Sequence, residues 1–312
     1  MFGLFKTYRE LGILGMNSRN VDYILKYNPR SKYPLVDDKL LTKDIAEKAG
    51  IPTPPIYEVV SFPSQTIGFA DRMAAYNEFV VKPAQGSGGG GILVIGGRTA
   101  TGFKRASGKI MPFNDMQYHL TNTLSGLYSL GGQPDQAIVQ YRVHPDVFFS
   151  SMTSGGVPDV RVIVFQGVPV MAMLRLPTRE SDGKANLHAG GIGTGISIAT
   201  GMTTHGVYRN APIGEHPDTN AGITGRTIPA WDQILNMSAQ FCDITGLGYI
   251  GVDIIIDRDK GPMMLEVNAR PGIAIQVANQ KGLKGRLELV EQHIHELKTL
   301  DDKIAFAREH FA

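Results

Sequence analysis

Between Tyr249 and Gly272 the chain reads Tyr249-Ile250-Gly251-Val252-Asp253-Ile254-Ile255-Ile256-Asp257, then Arg258-Asp259-Lys260-Gly261-Pro262, then Met263-Met264-Leu265-Glu266-Val267-Asn268-Ala269-Arg270-Pro271-Gly272. Apolar and β-branched residues dominate both arms, and Gly261-Pro262 between them predicts a hairpin with strands over 249–257 and 263–268. Side chains alternate along a strand, so Glu266 and Asn268 point to one face, and Asp253 on the partner strand can face them. The result is a set of three oxygen donors. Magnesium takes oxygen ligands and keeps waters and phosphate oxygens in its shell, so two carboxylates and one amide suit a metal-bound nucleotide better than a closed protein cage. Solvated acids on a surface hairpin are the plainer reading. Val252, Ile254, Leu265 and Val267 weigh against it, because an unpaired charge among such neighbours is costly.

Upstream, Glu78-Phe79-Val80-Val81-Lys82-Pro83 predicts a strand that ends on a lysine and a proline, and Gly86-Ser87-Gly88-Gly89-Gly90-Gly91 follows before a second strand over 92–95. An ammonium at the base of a glycine loop fits phosphate handling, since backbone N–H groups there can close over an anion. This is no Walker A loop, because the lysine precedes the glycines. A strand after the loop, in place of a helix, also argues against a dinucleotide fingerprint. Lys39 opens a short amphipathic helix with Leu40, Leu41, Ile45 and Ala49 on one face and Gly50-Ile51-Pro52 as its stop, and Lys43, one turn on, reads as a surface charge.

Further elements are a hairpin over 103–111, a helix from an Asn114 cap to about Leu130, a strand over 137–141, and paired strands over 160–165 and 168–175. A glycine-rich stretch at 188–193 and a loop over 201–228 follow, then a helix from Pro229 to Gly246 with Cys242 on its apolar side, and a closing helix over 283–297. Antiparallel hairpins mixed with helices make an α+β pattern. His144, His205 and His216 fall in loop-like stretches and read as exposed.

The 312 residues suggest two or three lobes, and 31 basic residues against 29 acidic ones give no polyanion-binding balance, so no nucleic-acid partner is expected. One cysteine excludes an internal disulfide and a thiolate-rich zinc site, which together with the absence of a continuous apolar run of about 18 residues reads as a cytoplasmic chain without a transmembrane segment. Phe2, Phe5, Tyr8, Leu11 and Leu14 recur every three residues, which predicts an amphipathic N-terminal helix that packs on its own core or docks on a partner or a membrane surface.

Taken in order, Asp38-Lys39, the break at Gly50-Ile51-Pro52-Thr53-Pro54, Val81-Lys82-Pro83, the glycine loop, the strand over 137–141, and Asp253 with Glu266-Val267-Asn268-Ala269-Arg270-Pro271-Gly272 resemble the ATP-grasp superfamily. Asp159-Val160-Arg161, Arg175 and Asn186-Leu187-His188-Ala189-Gly190-Gly191 resemble its RimK-type glutamate ligases, while Asn17 to Tyr23, His216-Pro217-Asp218-Thr219 and Ile228-Pro229-Ala230-Trp231 resemble sugar-transfer associated ATP-grasp proteins. The resemblance implies an ATP-grasp fold, two α+β lobes clasping ATP, with a reduced N-terminal region over 1–38, a first lobe with the glycine flap over 39–136, and a second lobe with the metal site and the last helix over 137–312. It assigns Lys39, Lys82 and the flap residues Gly86, Ser87, Gly88, Gly89, Gly90 and Gly91 to ATP phosphates, and the backbone of Tyr141 and Val143 with Gln140 to adenine. It places Asp159 at the ribose, adds Asn186 and His188 to the nucleotide side, and assigns Asp253, Glu266 and Asn268 to two magnesium ions, with manganese as a substitute.

The activity implied is an ATP-dependent ligase that activates a carboxylate as an acylphosphate for attack by an amine, with Lys82, Arg175, Asn268 and Arg270 in catalytic roles. The substrates would be a small-molecule or peptide carboxylate and an amine, glutamate among them, and a homo-oligomer is compatible with this. His188 contacts substrate or fixes its loop, Arg161 makes a structural ion pair or meets a phosphate, and Arg270 binds a substrate carboxylate or pairs with a nearby acid. Two readings stand beside the ligase: an ATP-grasp kinase that forms no amide, and a non-catalytic nucleotide-binding partner.

Overall fold

Successive side chains of Phe79-Val80-Val81-Lys82-Pro83 point to opposite faces, and the computed structural model puts the two faces to different uses. Residues 10–86 and 88–312 are described; Phe2, Phe5 and Tyr8 of the N-terminal stripe and Ser87 of the glycine loop lie outside them. The chain divides into two compact units, one of residues 38–40 and 54–143, the other of 10–37, 41–53 and 144–312.

In the smaller unit, β1 (Ile56–Val60), β2 (Phe79–Pro83), β3 (Leu93–Arg98), β4 (Gly102–Arg105), β5 (Ile110–Pro112) and β6 (Ala137–Gln140) form an antiparallel sheet in the order β1-β6-β2-β3-β4-β5. Val81 pairs with Val139 and Leu93, and Phe79 with Ile95, so these side chains share the core face with Met116 and Leu120 of the helix Phe113–Leu124. Burying each is worth about 1.5–3 kcal/mol. On the opposite face Lys82 stands across from Ile138, and Gln140 across from Val80. The helix starts after Pro112 and stops at Leu124, so Asn114 is no cap and the expected extension to Leu130 is absent.

In the larger unit, β7 (Asp159–Phe165), β8 (Val168–Leu176), β9 (Ile192–Ile196), β10 (Thr203–Tyr208), β11 (Ala211–Ile213), β12 (Tyr249–Asp257) and β13 (Gly261–Asn268) form an antiparallel sheet in the order β11-β10-β9-β8-β7-β12-β13. Val160, Val162, Val164, Leu174, Ile250 and Val252 belong to the apolar face, which the helices Trp231–Thr245 and Leu300–His310 contact. Cys242 is part of this core, and burial pushes its thiol up to about 12. Gly193 and Gly195 face the other way. A Cβ on Gly195 would lie 2.8 Å from the carbonyl oxygen of Ala278, so glycine lets the helix Ile275–Asn279 approach the sheet.

Several expectations change here. The stretch 201–228 contains β10 and β11 and is not all loop, the last predicted helix is shorter, Lys284–His293, and a further helix, Leu300–His310, follows it. The β12–β13 turn is made by residues 258–260, with Gly261 and Pro262 already in the strand. Residues 11–15 are not helical: Gly12 sits at φ +65°, Leu11 is exposed and Leu14 fully buried, so the three-residue periodicity does not continue as one face.

A helix does form over residues 16–27, with a π turn at Arg19–Ile24. Its Tyr23 and Tyr27 pack edge-on to Phe165, with ring centroids 5.6 and 4.9 Å away. The buried Asn28 amide then donates to the carbonyls of Tyr249 (2.7 Å) and Ala269 (2.8 Å) and accepts from the Tyr249 N–H (2.9 Å). One side chain thus ties the start of β12 to the end of β13. These contacts give 10–37 to the larger unit. β13 is the edge of its sheet, and Pro52 covers part of it by accepting the Met264 N–H at 2.8 Å.

Candidate active site

Lys82, one residue before the end of β2, lies on the face opposite the core and is buried, on the same face as Gln140. Directly after it the chain turns into the glycine loop, whose two ends are gripped from outside. Lys39 Nζ donates to the carbonyl of Gly86 at 2.5 Å and to that of Ala84 at 3.3 Å. His119, from the helix Phe113–Leu124, holds the Gly91 carbonyl through Nε2 at 3.0 Å, which makes Nε2 the protonated nitrogen. Gly91 itself sits at φ +72°, and a Cβ there would fall 2.5 Å from the Tyr128 ring. Gly88 and Gly89 also adopt positive φ, and Gly90 lies in the same turn. Below the loop the buried Asp135 carboxylate accepts from Ser129 Oγ (2.6 Å) and from the N–H groups of Gln85 (3.0 Å) and Gln136 (2.7 Å). At the other end of this face, the Tyr141 N–H is spent on the Pro55 carbonyl at 2.8 Å, whereas Val143 makes no backbone hydrogen bond among the described residues.

The larger unit gathers charge on the face of its sheet away from the two long helices. Asp253 lies opposite Glu266 on one side and opposite Arg161 on the other, while Asp159 lies opposite Arg175. Arg161 donates to both Asp253 oxygens, Nε to Oδ1 at 2.7 Å and Nη2 to Oδ2 at 2.6 Å. Arg175 bridges the two acids, with Nε on Asp159 at 2.5 Å and Nη2 on Asp253 at 2.7 Å. Two buried aspartates and two arginines thus neutralise one another. Burial alone would raise the Asp253 carboxyl, but the two guanidiniums outweigh it and hold that carboxyl below the ordinary range. Burial pushes Asp159 up to about 6 against the pull of Arg175, and the Asp253 charge adds to the rise.

Glu266 and Asn268 are different. Glu266 is half-buried, and its carboxylate makes no hydrogen bond or ion pair among the described residues. The Asn268 Nδ2 is a buried donor without a partner, a state that costs about 1–3 kcal/mol. Among the described residues no three His, Cys, Asp or Glu side chains form a metal cage, so a cation at this face would rest on two carboxylates, one amide and non-protein oxygens.

Other expected positions resolve unevenly. Asn186 caps a short 3-10 turn, its Oδ1 accepting the His188 N–H at 3.1 Å, and the Thr178 hydroxyl holds Gly190 O at 2.7 Å. The His188 ring is exposed and fixes nothing in this loop. His216, expected to be exposed, is fully buried: Nε2 donates to the Pro177 carbonyl (2.9 Å) and Nδ1 accepts from Asp218 N–H (3.1 Å), so it locks two loops together. Lys43 is not a surface charge either, since its ammonium meets Glu47 and Thr53 at 2.5 Å each with little solvent access. Arg270 lies over the Tyr33 ring, 5.4 Å from its centroid, and reaches Asp37 only at 4.0 Å, with more than half its side chain exposed. His119 and Asp135 escaped the sequence reading. A histidine one helix away from the loop it holds leaves no local pattern.

The family model for sugar-transfer associated ATP-grasp proteins matches residues 18–292, from the π-turn helix to the helix Lys284–His293. The chain belongs to that family. Of the two ATP-grasp groups that its sequence resembles, this is the one matched. No curated protein matches the chain. Among solved structures it is similar to the ATP-grasp ligase PsnB in complex with a minimal precursor (16% identity over 89% of this chain and 62% of that one, TM-score 0.45). It is also similar to the D-cycloserine synthetase DcsG (17%, 86% and 73%, 0.46) and to D-alanine--D-alanine ligase from Bacillus anthracis (16%, 89% and 69%, 0.42). This ATP-grasp chain therefore spans less than two thirds of the length of PsnB. Its described helices include none long and apolar enough to cross a membrane.

Proposed function

We propose that the chain is an ATP- and magnesium-dependent ligase that joins a carboxylate to an amine. The observation that carries this reading is the contrast on one sheet face between Asp253, neutralised by two guanidiniums, and the side chains of Glu266 and Asn268, which have no partner among the described residues. A carboxylate offers about four lone-pair sites. In Asp253 two on Oδ2 and one on Oδ1 are occupied, which leaves one on Oδ1. Asp253, Glu266 and Asn268 would hold magnesium, which would neutralise charge on the ATP phosphates.

Lys39, Lys82 and the glycine N–H groups would bind those phosphates, while the Val143 N–H, with no partner among the described residues, would take the adenine edge and Gln140 would stand beside it. The substrate carboxylate oxygen attacks the terminal phosphorus and ADP leaves; the amine then attacks the acyl carbon, phosphate leaves, and a proton is lost from nitrogen. Nη1 of Arg175 carries no hydrogen bond among the described residues, so it is the atom that would donate to the phosphate as it departs. His188 and Arg270, both exposed, would meet the substrates, Arg270 through a carboxylate.

The test is to incubate the protein with magnesium-ATP and pooled amino acids, peptides and carboxylic acids, scoring phosphate release and new amide masses. Substrate-dependent phosphate release with an amide product is expected. A phosphorylated product without an amide would establish a kinase instead, and nucleotide binding without turnover in any pool would leave a binding module.

A further inference from the structure

The outer face of the helix over residues 16–27 carries large apolar side chains that stay exposed among the described residues. Met16, Val21 and Leu25 are 60%, 63% and 71% exposed, and Leu11 just before them is 59% exposed, while Tyr23 and Ile24 on the inner face are buried. Val21 and Leu25 are one helical turn apart. Met16 precedes Val21 by five residues, a spacing that the wider π turn at Arg19–Ile24 helps to bring round to the same side.

Along the sequence the charge near it is uneven, while Glu291 reaches Lys26 and Tyr27 from another helix. From position 1 to 32 there are six basic residues (Lys6, Arg9, Arg19, Lys26, Arg30 and Lys32) and two acidic ones (Glu10 and Asp22), although the whole chain carries a formal net charge of only +2. Lys26 is paired with Glu291, and Arg19 with Asn20 and the Pro271 carbonyl. Arg30 and Lys32, in the short turn that follows the helix, are exposed, and their side chains make no hydrogen bond or ion pair among the described residues.

The geometry points to this face as a docking surface for an anionic lipid bilayer, with the Met16, Val21 and Leu25 side chains in the headgroup and upper acyl region and Arg30 and Lys32 among the headgroups. Apolar residues flanked by cations on a helix that lies flat are the chemistry of interfacial binding. A second copy of the chain fits less well. A two-fold contact through the same face would set one basic segment against another. Few apolar side chains and few cations make such binding shallow, reversible and salt-sensitive. The inference does not depend on the ligase reading.

Sedimentation of the intact protein with vesicles tests it, comparing pure phosphatidylcholine with phosphatidylcholine containing about one third phosphatidylglycerol, at low and physiological salt. Binding to the anionic vesicles only, weakened by salt, is expected. Val21→Asp with Leu25→Asp should lower the partition coefficient at least about tenfold, and Arg30→Glu with Lys32→Glu should do the same without touching the apolar face. All four positions are exposed, so thermal midpoints should stay at the parent value; if the aspartate pair lowers its midpoint, the glutamate pair decides. Equal binding to neutral and anionic vesicles, no binding to either, or binding indifferent to both pairs of substitutions would overturn the inference. So would a concentration-dependent dimer that the aspartate pair abolishes, which would give the face to a second copy.

Discussion

The two compact units hold their candidate charged groups by opposite means. In the smaller one, the Lys39 ammonium and the His119 ring grip the carbonyls of Gly86 and Gly91, so side chains steady a stretch of main chain. In the larger one, Arg161, Arg175, Asp159 and Asp253 hold one another, and the main chain contributes only the strand register that sets them side by side. Loss of a group therefore has different consequences in the two places. A carbonyl deprived of its donor can relax or take up water, whereas a buried carboxylate deprived of its guanidinium cannot leave the sheet.

The contrast is sharpest at Arg161. Arg161→Ala strands a buried Asp253 with half its partners and should cost about 3–5 kcal/mol in chemical denaturation. Combining it with Asp253→Leu should recover part of that loss; no recovery would mean that the fold does not feel the pair as a charge-balanced unit. Glu266→Gln, on the opposite strand but unpaired, should leave stability within about 0.5 kcal/mol and yet lower magnesium-dependent turnover roughly 10²–10³-fold. A large stability loss at Glu266 would erase the distinction between paired and open carboxylates. In the smaller unit, Gly91→Ala would force a side chain into φ +72° and against Tyr128, for a loss of about 1–3 kcal/mol by thermal denaturation.

The smallest effect expected is one of pH. Burial, only partly offset by the bond to Gly91, holds the His119 imidazole below its ordinary value, so the fold favours the neutral ring. Protons then bind the unfolded chain first: the contribution is complete above about pH 6.5 and is lost as pH falls from there through the folded value. His119→Gln should flatten that part of the stability profile, and an unchanged slope would remove His119 from its cause.

What the sequence made legible was whatever rests on strict alternation. Asp253, Glu266 and Asn268 reach one face because the β12–β13 register is dictated by the apolar residues between them, and Lys82 and Gln140 are set by the same logic. The glycine loop was legible from composition, but its two anchors were not, since Lys39 and His119 lie 47 and 28 residues away from the carbonyls they bind. β10 was missed because Thr203-Thr204-His205-Gly206-Val207-Tyr208 has little apolar alternation, and its strand conformation comes from pairing with β9. His216 misled for a related reason. A polar residue in a Pro/Asp/Thr context reads as exposed unless its partners, the Pro177 carbonyl and the Asp218 N–H, are known. Asp253 was read as a metal ligand from its position alone, and its two arginine partners lie on strands about 80–90 residues upstream, beyond any local spacing rule.

The three hydrogen bonds of Asn28 also bear on how this chain could be trimmed. A version starting after Asn28 would strip the Tyr249 N–H and the carbonyls of Tyr249 and Ala269 of their partners at once, where β12 begins beside the end of the border strand β13. Such a frayed border invites strand addition from a neighbouring molecule, so the shortened protein should form aggregates with cross-strand pairing, and amide exchange at Tyr249 should speed up before any other residue of β12.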